Sequence, residues 1–128
     1  MRRVLLVEDS EDVLYLLRMQ LESMGYVVEA ATNASVALEI ATKVRPDVIV
    51  SDLRMPDIDG VEFIEQVRRV RRLKGVPAIA LTGACMDSDV QRALASGFTA
   101  HLTKPVDASE LSKIINQLTA RYLHRKVG

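Results

Sequence analysis

Five short aliphatic runs alternate with five helical stripes in this 128-residue chain, which marks it as α/β, a doubly wound parallel sheet built as (βα)5. Three observations lead there. The runs and stripes follow one another with short connections, the arrangement that yields parallel strands and right-handed helical crossovers. The first, third and fourth runs are almost free of polar residues, as strands covered on both faces are. Four of the runs also end in polar residues, Glu8-Asp9, Asp52, Thr82 and Lys104, as expected where the carboxyl ends of parallel strands meet in one crevice.

The first strand is expected over Val4 to Val7, and the helix after it from Leu14, Leu17, Leu21 and Met24, which recur at steps of three and four. Gly25 stops that helix. Tyr26 to Ala30 reads as the second strand, and Ala37, Ile40, Ala41 and Val44 as the buried stripe of the second helix. Val48 to Val50 forms the third strand and leads into Asp52; a third helix carries Phe63, Ile64 and Val67. Val76 to Leu81 is the fourth strand. The fourth helix, roughly Asp87 to Ala95, has only Val90, Ala93 and Leu94 as an apolar face and ends at Gly97. Phe98 to Leu102 is the fifth strand. Asp107, with Glu110 three residues on, caps the fifth helix, whose stripe is Leu111, Ile114, Ile115, Leu118 and Tyr122. Leu123 to Gly128 reads as a fraying tail. Alternation does not set strand order, but the flavodoxin-like order 2-1-3-4-5 puts the switch point between strands 1 and 3, which end in Glu8-Asp9 and Asp52.

The length suits one domain over residues 1–128, with a core from about 3 to 122. Seventeen basic and seventeen acidic residues balance, so no global field favours nucleic acid or an anionic membrane. The single Cys85 excludes an internal disulfide, and a passive small residue is the expected role for it. Met1-Arg2-Arg3 runs straight into the first strand, without a signal peptide, and no apolar stretch approaches the roughly 20 residues of a membrane span. A cytoplasmic protein with no membrane insertion is expected. The basic run Arg68, Arg69, Arg71, Arg72 and Lys74 sits at a helix end and reads as a solvated face complementing the helix dipole, not as a direct nucleic-acid contact.

Each polar strand end taken alone is ordinary turn or capping chemistry. Together they place three carboxylates, a hydroxyl and an amine in one crevice. Like charges this close oppose one another's ionisation unless a cation neutralises them. Magnesium fits, since it takes oxygen ligands and is usually held by one or two carboxylates plus a phosphate. Asp9 and Asp52 supply direct oxygens in this reading, and Glu8 acts through a bound water. Asp52 can also serve as a nucleophile toward phosphorus, with Lys104 opposing negative charge and Thr82 donating a hydrogen bond to a phosphoryl oxygen.

Glu8-Asp9, the run Asp52-Leu53-Arg54-Met55-Pro56 with Gly60, Thr82-Gly83-Ala84 and Lys104-Pro105, in this order and spacing, resemble the receiver domain of two-component response regulators. The resemblance covers Val4 to about Tyr122. It implies that Asp52 accepts a phosphoryl group from the phosphohistidine of a histidine kinase or histidine phosphotransfer protein. It implies Mg2+ held by Glu8, Asp9 and Asp52 with the main-chain carbonyl of Arg54, and a cis bond at Lys104-Pro105. The switch would run through Thr82 and the residue at position 101. Such a protein is a signalling switch in a phosphorelay, catalysing its own phosphoryl transfer and slow dephosphorylation without turning over small molecules.

The chain departs from the commonest family pattern beside these motifs. His101 stands where a Tyr or Phe is usual, so a smaller, titratable ring is expected to change rotamer with Thr82. Arg54 and Ala84 lie two residues beyond Asp52 and Thr82, where the family tunes acyl phosphate lifetime; a long cation and a residue unable to orient water imply slow hydrolysis. Output toward a downstream protein or fused domain is expected through the fourth helix, fifth strand and fifth helix, including Gln91, Ala95, His101 and Ser112. The donor is expected near the first helix and the strand-end loops. The segment Gly97 to Asp107 is similar to receivers attached to hybrid sensor kinases, which leaves a stand-alone regulator and an excised receiver both open. Two other functions remain: a pseudo-receiver that binds partners without phosphorylation, and a magnesium-dependent phosphatase with an aspartyl nucleophile. The second is disfavoured because haloacid-dehalogenase-type phosphatases place an Asp where this chain has Arg54.

Overall fold

The computed structural model describes residues 2–83 and 87–127, with side chains for residues 2–83 and 88–120. Five strands, β1 (Arg3–Val7), β2 (Val27–Ala31), β3 (Val48–Asp52), β4 (Ala78–Thr82) and β5 (Ala100–Thr103), lie parallel in the order β2-β1-β3-β4-β5. Five helices connect and close them: α1 (Glu11–Ser23), α2 (Ala34–Val44), α3 (Gly60–Arg69), α4 (Asp87–Ser96) and α5 (Ala108–Val127). This is the flavodoxin-like fold. No described helix is long and apolar enough to cross a membrane.

Strand alternation divides the core in two. Leu5, Val7, Ile49, Ala78 and Ala80 face one side, packed with Ala37 and Ala41 of α2, Phe63, Ile64 and Val67 of α3, and Ala93 of α4. Val4, Leu6, Val48, Val50, Ile79 and Leu81 face the other, against Leu14, Leu17 and Leu21 of α1 and Leu111, Ile115 and Leu118 of α5. Each large aliphatic side chain buried this way contributes roughly 1.5 to 3 kcal/mol. Both sheet faces are covered, which is why β1, β3 and β4 are near-continuous apolar runs.

Several expectations shift at the edges of elements. Tyr26, Val76 and Phe98 precede their strands, because the chain enters the sheet only where ladder bonds begin. Met24 lies past the end of α1 and is exposed, and Ile40 and Val44 are only half-buried on α2. On α4 Ala93 is buried, whereas Val90 is half-buried and Leu94 is 41% exposed, since the helix touches the core along one narrow edge. The tail expected to fray from Leu123 is helical to Val127. Gly25 and Gly97 follow α1 and α4 with φ of +98° and +132°, as helix-ending glycines do.

Arg68 corrects the reading of the basic run. Its half-buried guanidinium donates to the carbonyl oxygens of Leu73, Lys74, Val76 and Gly97 at 2.7–3.1 Å. Burial lowers its pKa, and the carbonyl dipoles of the segment after α3 and of Gly97 after α4 take the place of an anion. Arg69, Arg71, Arg72 and Lys74 are exposed as expected, the middle two within a 3-10 turn at Arg71–Leu73.

Candidate functional site

The chain leaves β1 toward β2 on one side of the sheet and returns to β3 on the other, so the carboxyl ends of β1 and β3 diverge to open a crevice. Ladder bonds continue past the strands and fix the residues beyond them: Glu8 N–H donates to Ala31 O (3.1 Å), Leu53 N–H to Leu81 O (3.3 Å) and Lys104 N–H to Thr82 O (2.7 Å). Glu8, Asp52, Thr82 and Lys104 thereby meet at one end of the sheet.

Lys104 Nζ bridges two carboxylates, donating to Glu8 Oε1 at 2.9 Å and to Asp52 Oδ2 at 2.7 Å. Glu8 is 1% exposed and Asp52 6%. The other oxygen of each is also bound: Ser10 N–H donates to Glu8 Oε2 (3.1 Å) and Arg54 N–H to Asp52 Oδ1 (3.2 Å). Asp9 is exposed, and one carboxylate oxygen from each of Glu8, Asp9 and Asp52 lies within 4.8 Å of the others. Thr82 is buried, and its hydroxyl donates to Leu102 O at 3.3 Å.

Burial raises the pKa of Glu8; the bonds from Lys104 and Ser10 oppose this, while Asp9 and the charge of Asp52 add to it. Burial acts to lower that of Lys104, but the bonds and charges of Asp52 and Glu8 outweigh it and the pKa is raised. The ammonium therefore stays charged. Three oxygen-donor carboxylates, one exposed, match the ligand preference of a hard divalent cation. Glu8, the most buried of the three, is suited to reach such an ion through water.

A cleft of about 500 Å3 opens over these groups. Asp9, Asp52, Arg54, Thr82 and Lys104 line it, as do Asp59 and Val61 at the start of α3 and Asp89 and Arg92 of α4. The loop after Asp52 is held at its far end by Gly60, whose N–H donates to Leu53 O at 2.7 Å. A Cβ there would lie 2.7 Å from Asp52 O and from Leu53 Cα, so glycine is required by close backbone approach. Asp59 caps α3 by accepting from Glu62 N–H at 2.8 Å.

Asp57 was not singled out from the sequence. Its carboxylate caps α2, accepting from Ala34 N–H (3.1 Å), Ser35 N–H (2.9 Å) and the Ser35 hydroxyl (2.8 Å). Burial pushes its pKa up, but these bonds with one from Ile58 N–H hold it well below the carboxylate range. It ties the loop after Asp52 to a neighbouring helix. Only an excess of Asp in Asp57-Ile58-Asp59-Gly60 hinted at this, since nothing local links position 57 to position 34.

The other expected residues lie around the cleft. The Arg54 side chain is exposed at its mouth. His101 sits on β5 opposite Ala80, away from the lining, with its Nδ1 buried and without a hydrogen-bond partner. Lys104-Pro105 is cis. On the side suggested for output, Gln91 and Ala95 are exposed, and Ser112 Oγ is 2.7 Å from the Tyr26 hydroxyl. Ala84 and Cys85 lie outside the described residues, and so does the side chain of Tyr122.

Comparison with known proteins agrees with this geometry. Residues 4–116 match the family model described as the response regulator receiver domain. An uncharacterised 14.6 kDa protein of Leptolyngbya boryana is 44% identical over 89% of this chain and 87% of its own length. PilH of Pseudomonas aeruginosa is 32% identical over 94% of this chain and 99% of its own. The structure of the chemotaxis response regulator CheY4 of Vibrio cholerae superposes with a TM-score of 0.87 at 36% identity, covering 92% of this chain and 98% of that one.

Proposed function

Because the chain belongs to the family of response regulator receiver domains, we propose that it is a phosphoacceptor switch in which Asp52 takes a phosphoryl group from a phosphohistidine donor. Receiver domains interact with histidine kinases and downstream effectors. The observation that carries the reading is the Lys104 ammonium held on Asp52 and Glu8 beside an acidic trio at the switch point.

Asp52 Oδ1, the oxygen not bonded to Lys104, forms the new P–O bond as the P–N bond of the donor breaks. The electron pair stays on the imidazole nitrogen, which then takes up a proton. Lys104 offsets charge on the phosphoryl oxygens, and the Thr82 hydroxyl, released from Leu102 O, donates to one of them. Asp9 and Asp52 with the Arg54 carbonyl, and Glu8 through water, would hold Mg2+, which would supply charge neutralisation for the transferring group. Arg54, exposed at the mouth, screens the acyl phosphate from water, and Ala84 offers no polar group to orient one. The resulting state signals through α4, β5 and α5, with His101 as the moving ring.

Magnesium-dependent labelling with acetyl phosphate tests this reading. Label is expected on the wild-type chain, abolished in Asp52→Asn and suppressed by a chelator. Label that survives in Asp52→Asn would overturn the assignment; a wild type that takes none while still binding a partner would make it a pseudo-receiver. Robust turnover of small phosphate esters would favour a phosphatase instead.

A further inference from the structure

The cleft over Asp52 has a wall whose charges the phosphoacceptor reading leaves unused. Asp89 and Arg92 on α4 are three residues apart, on one side of the helix, and both line the cleft that holds Asp52. Ala93, next to Arg92, is the residue α4 buries in the core, whereas Gln91, Arg92, Leu94 and Ala95 are exposed. Arg92 therefore stands at the boundary between the anchored edge of α4 and the cleft.

Cations in the cleft are unequally committed. Lys104 already binds both Glu8 and Asp52. Among the described residues, Arg54 and Arg92 have no ion-pair partner. A phosphoryl group on Asp52 brings extra negative charge and strong acceptor oxygens, more than Lys104 can satisfy while it also faces Glu8. A guanidinium offers a planar fork that binds two such oxygens at once. Arg54 shares a loop with Asp52, so its pairing displaces no other element. Arg92 belongs to a helix held by a single fully buried side chain among its described residues, and such a lightly anchored element is one that a modest pairing energy can move.

We propose that Arg92 is the phosphoryl-sensing arm of α4: its guanidinium binds the phosphoryl oxygens on Asp52 and draws the helix toward the cleft. The inference rests on phosphorylation of Asp52. It gives α4 a direct electrostatic link to the modified residue, separate from the Thr82 and His101 route.

The test uses the whole chain labelled with acetyl phosphate and Mg2+, followed by NMR of the arginine Nε–H groups and of the α4 backbone amides. In the wild type the Arg92 Nε–H resonance and the amides of Asp89 to Ser96 are expected to shift with label. In Arg92→Gln, compared at equal label, the α4 amide shifts should fall by more than half, and the acyl phosphate should decay about tenfold faster or more, as loss of one charge-assisted bond implies. Arg92→Lys, which keeps the charge but not the fork, should fall between. Label with an unmoved Arg92 resonance, or α4 shifts in Arg92→Gln equal to wild type, overturns the inference alone. Absence of wild-type label overturns the phosphoacceptor reading and the inference with it.

Discussion

Asp9→Asn is expected to stabilise the metal-free protein while removing most of its response to magnesium. Asp9 is exposed and has no ion-pair partner among the described residues, yet its carboxylate approaches those of Glu8 and Asp52 within 4.8 Å. At that separation two like charges repel by about 0.9 kcal/mol in water and about 3.5 kcal/mol at an effective dielectric of 20. Exposure places Asp9 near the lower figure, and it faces two carboxylates, so its neutralisation should release about 1 to 2 kcal/mol. For a chain of this size each kcal/mol moves Tm by about 3 to 5 °C. Melting followed by circular dichroism in a chelator should show that rise. A cation at ten times its Kd adds about 1.4 kcal/mol to the wild type, and this increment should drop by more than half in Asp9→Asn. A variant that melts at or below wild type in chelator would show that the acids do not strain one another. An undiminished magnesium shift would show that Asp9 is not a ligand.

Gly60→Ala should lower stability by about 1 to 3 kcal/mol, the usual range for an overpacked position, and slow acetyl phosphate labelling, because its Cβ would meet the backbone of Asp52 and Leu53 at 2.7 Å; unchanged Tm and labelling rate would show that the loop yields freely. Glu8 binds its proton more tightly folded than unfolded, so its contribution falls as pH rises from the ordinary value of 4.5 toward its own raised pKa. Glu8→Gln should abolish that component, and the difference in Tm between variant and wild type, measured without divalent cations, should therefore grow in favour of Gln with rising pH. A constant or reversed difference would contradict the raised pKa. Arg68→Met should cost about 2 kcal/mol by leaving the carbonyls of Leu73, Lys74, Val76 and Gly97 without their charged donor, and Arg68→Lys should recover less than half of it in chemical denaturation; a neutral Arg68→Met would return Arg68 to the solvated surface. His101→Phe removes a buried Nδ1 without a partner, so it should raise Tm and change the partner affinity of the phosphorylated chain, whereas an unaltered affinity would remove His101 from the switch.

The strands were legible because β1, β3 and β4 are buried on both faces, which writes itself as uninterrupted aliphatic residues. Their polar ends were legible for the same reason: Glu8, Asp52 and Thr82 break that pattern where the sheet stops. Arg68 and Asp57 were not. Arg68 binds carbonyls, which every residue carries, so no partner side chain in the sequence betrays it. Asp57 reaches a helix start 23 positions earlier in the chain, a contact set by the crossover from β2 to β3 and by no local period. On α4 the sequence marked Val90, Ala93 and Leu94 as equivalent, but one helix edge meets the core, so burial separates them.

The same unevenness of anchoring divides the cleft. Glu8, Asp9 and Asp52 follow β1 and β3, central strands that are buried almost end to end, and the bonds from Ser10 and Arg54 fix two of these carboxylates from behind. A metal site gains from that rigidity, because ligands already held in place lose little freedom on binding. His101 belongs to β5, an edge strand with a half-exposed burial pattern, Lys104 follows directly after that strand, and Arg92 belongs to a helix with one narrow buried edge. Charge added at Asp52 therefore acts on one rigid wall and one compliant wall. The compliant one, made of α4 and β5 together with the lysine that already holds Asp52, is the wall that the proposed switch would move. A substitution that stiffens α4 without touching the cleft should thus leave labelling of Asp52 intact while shrinking its effect on β5, and the reverse pattern would place the compliance on the side of β1 and β3.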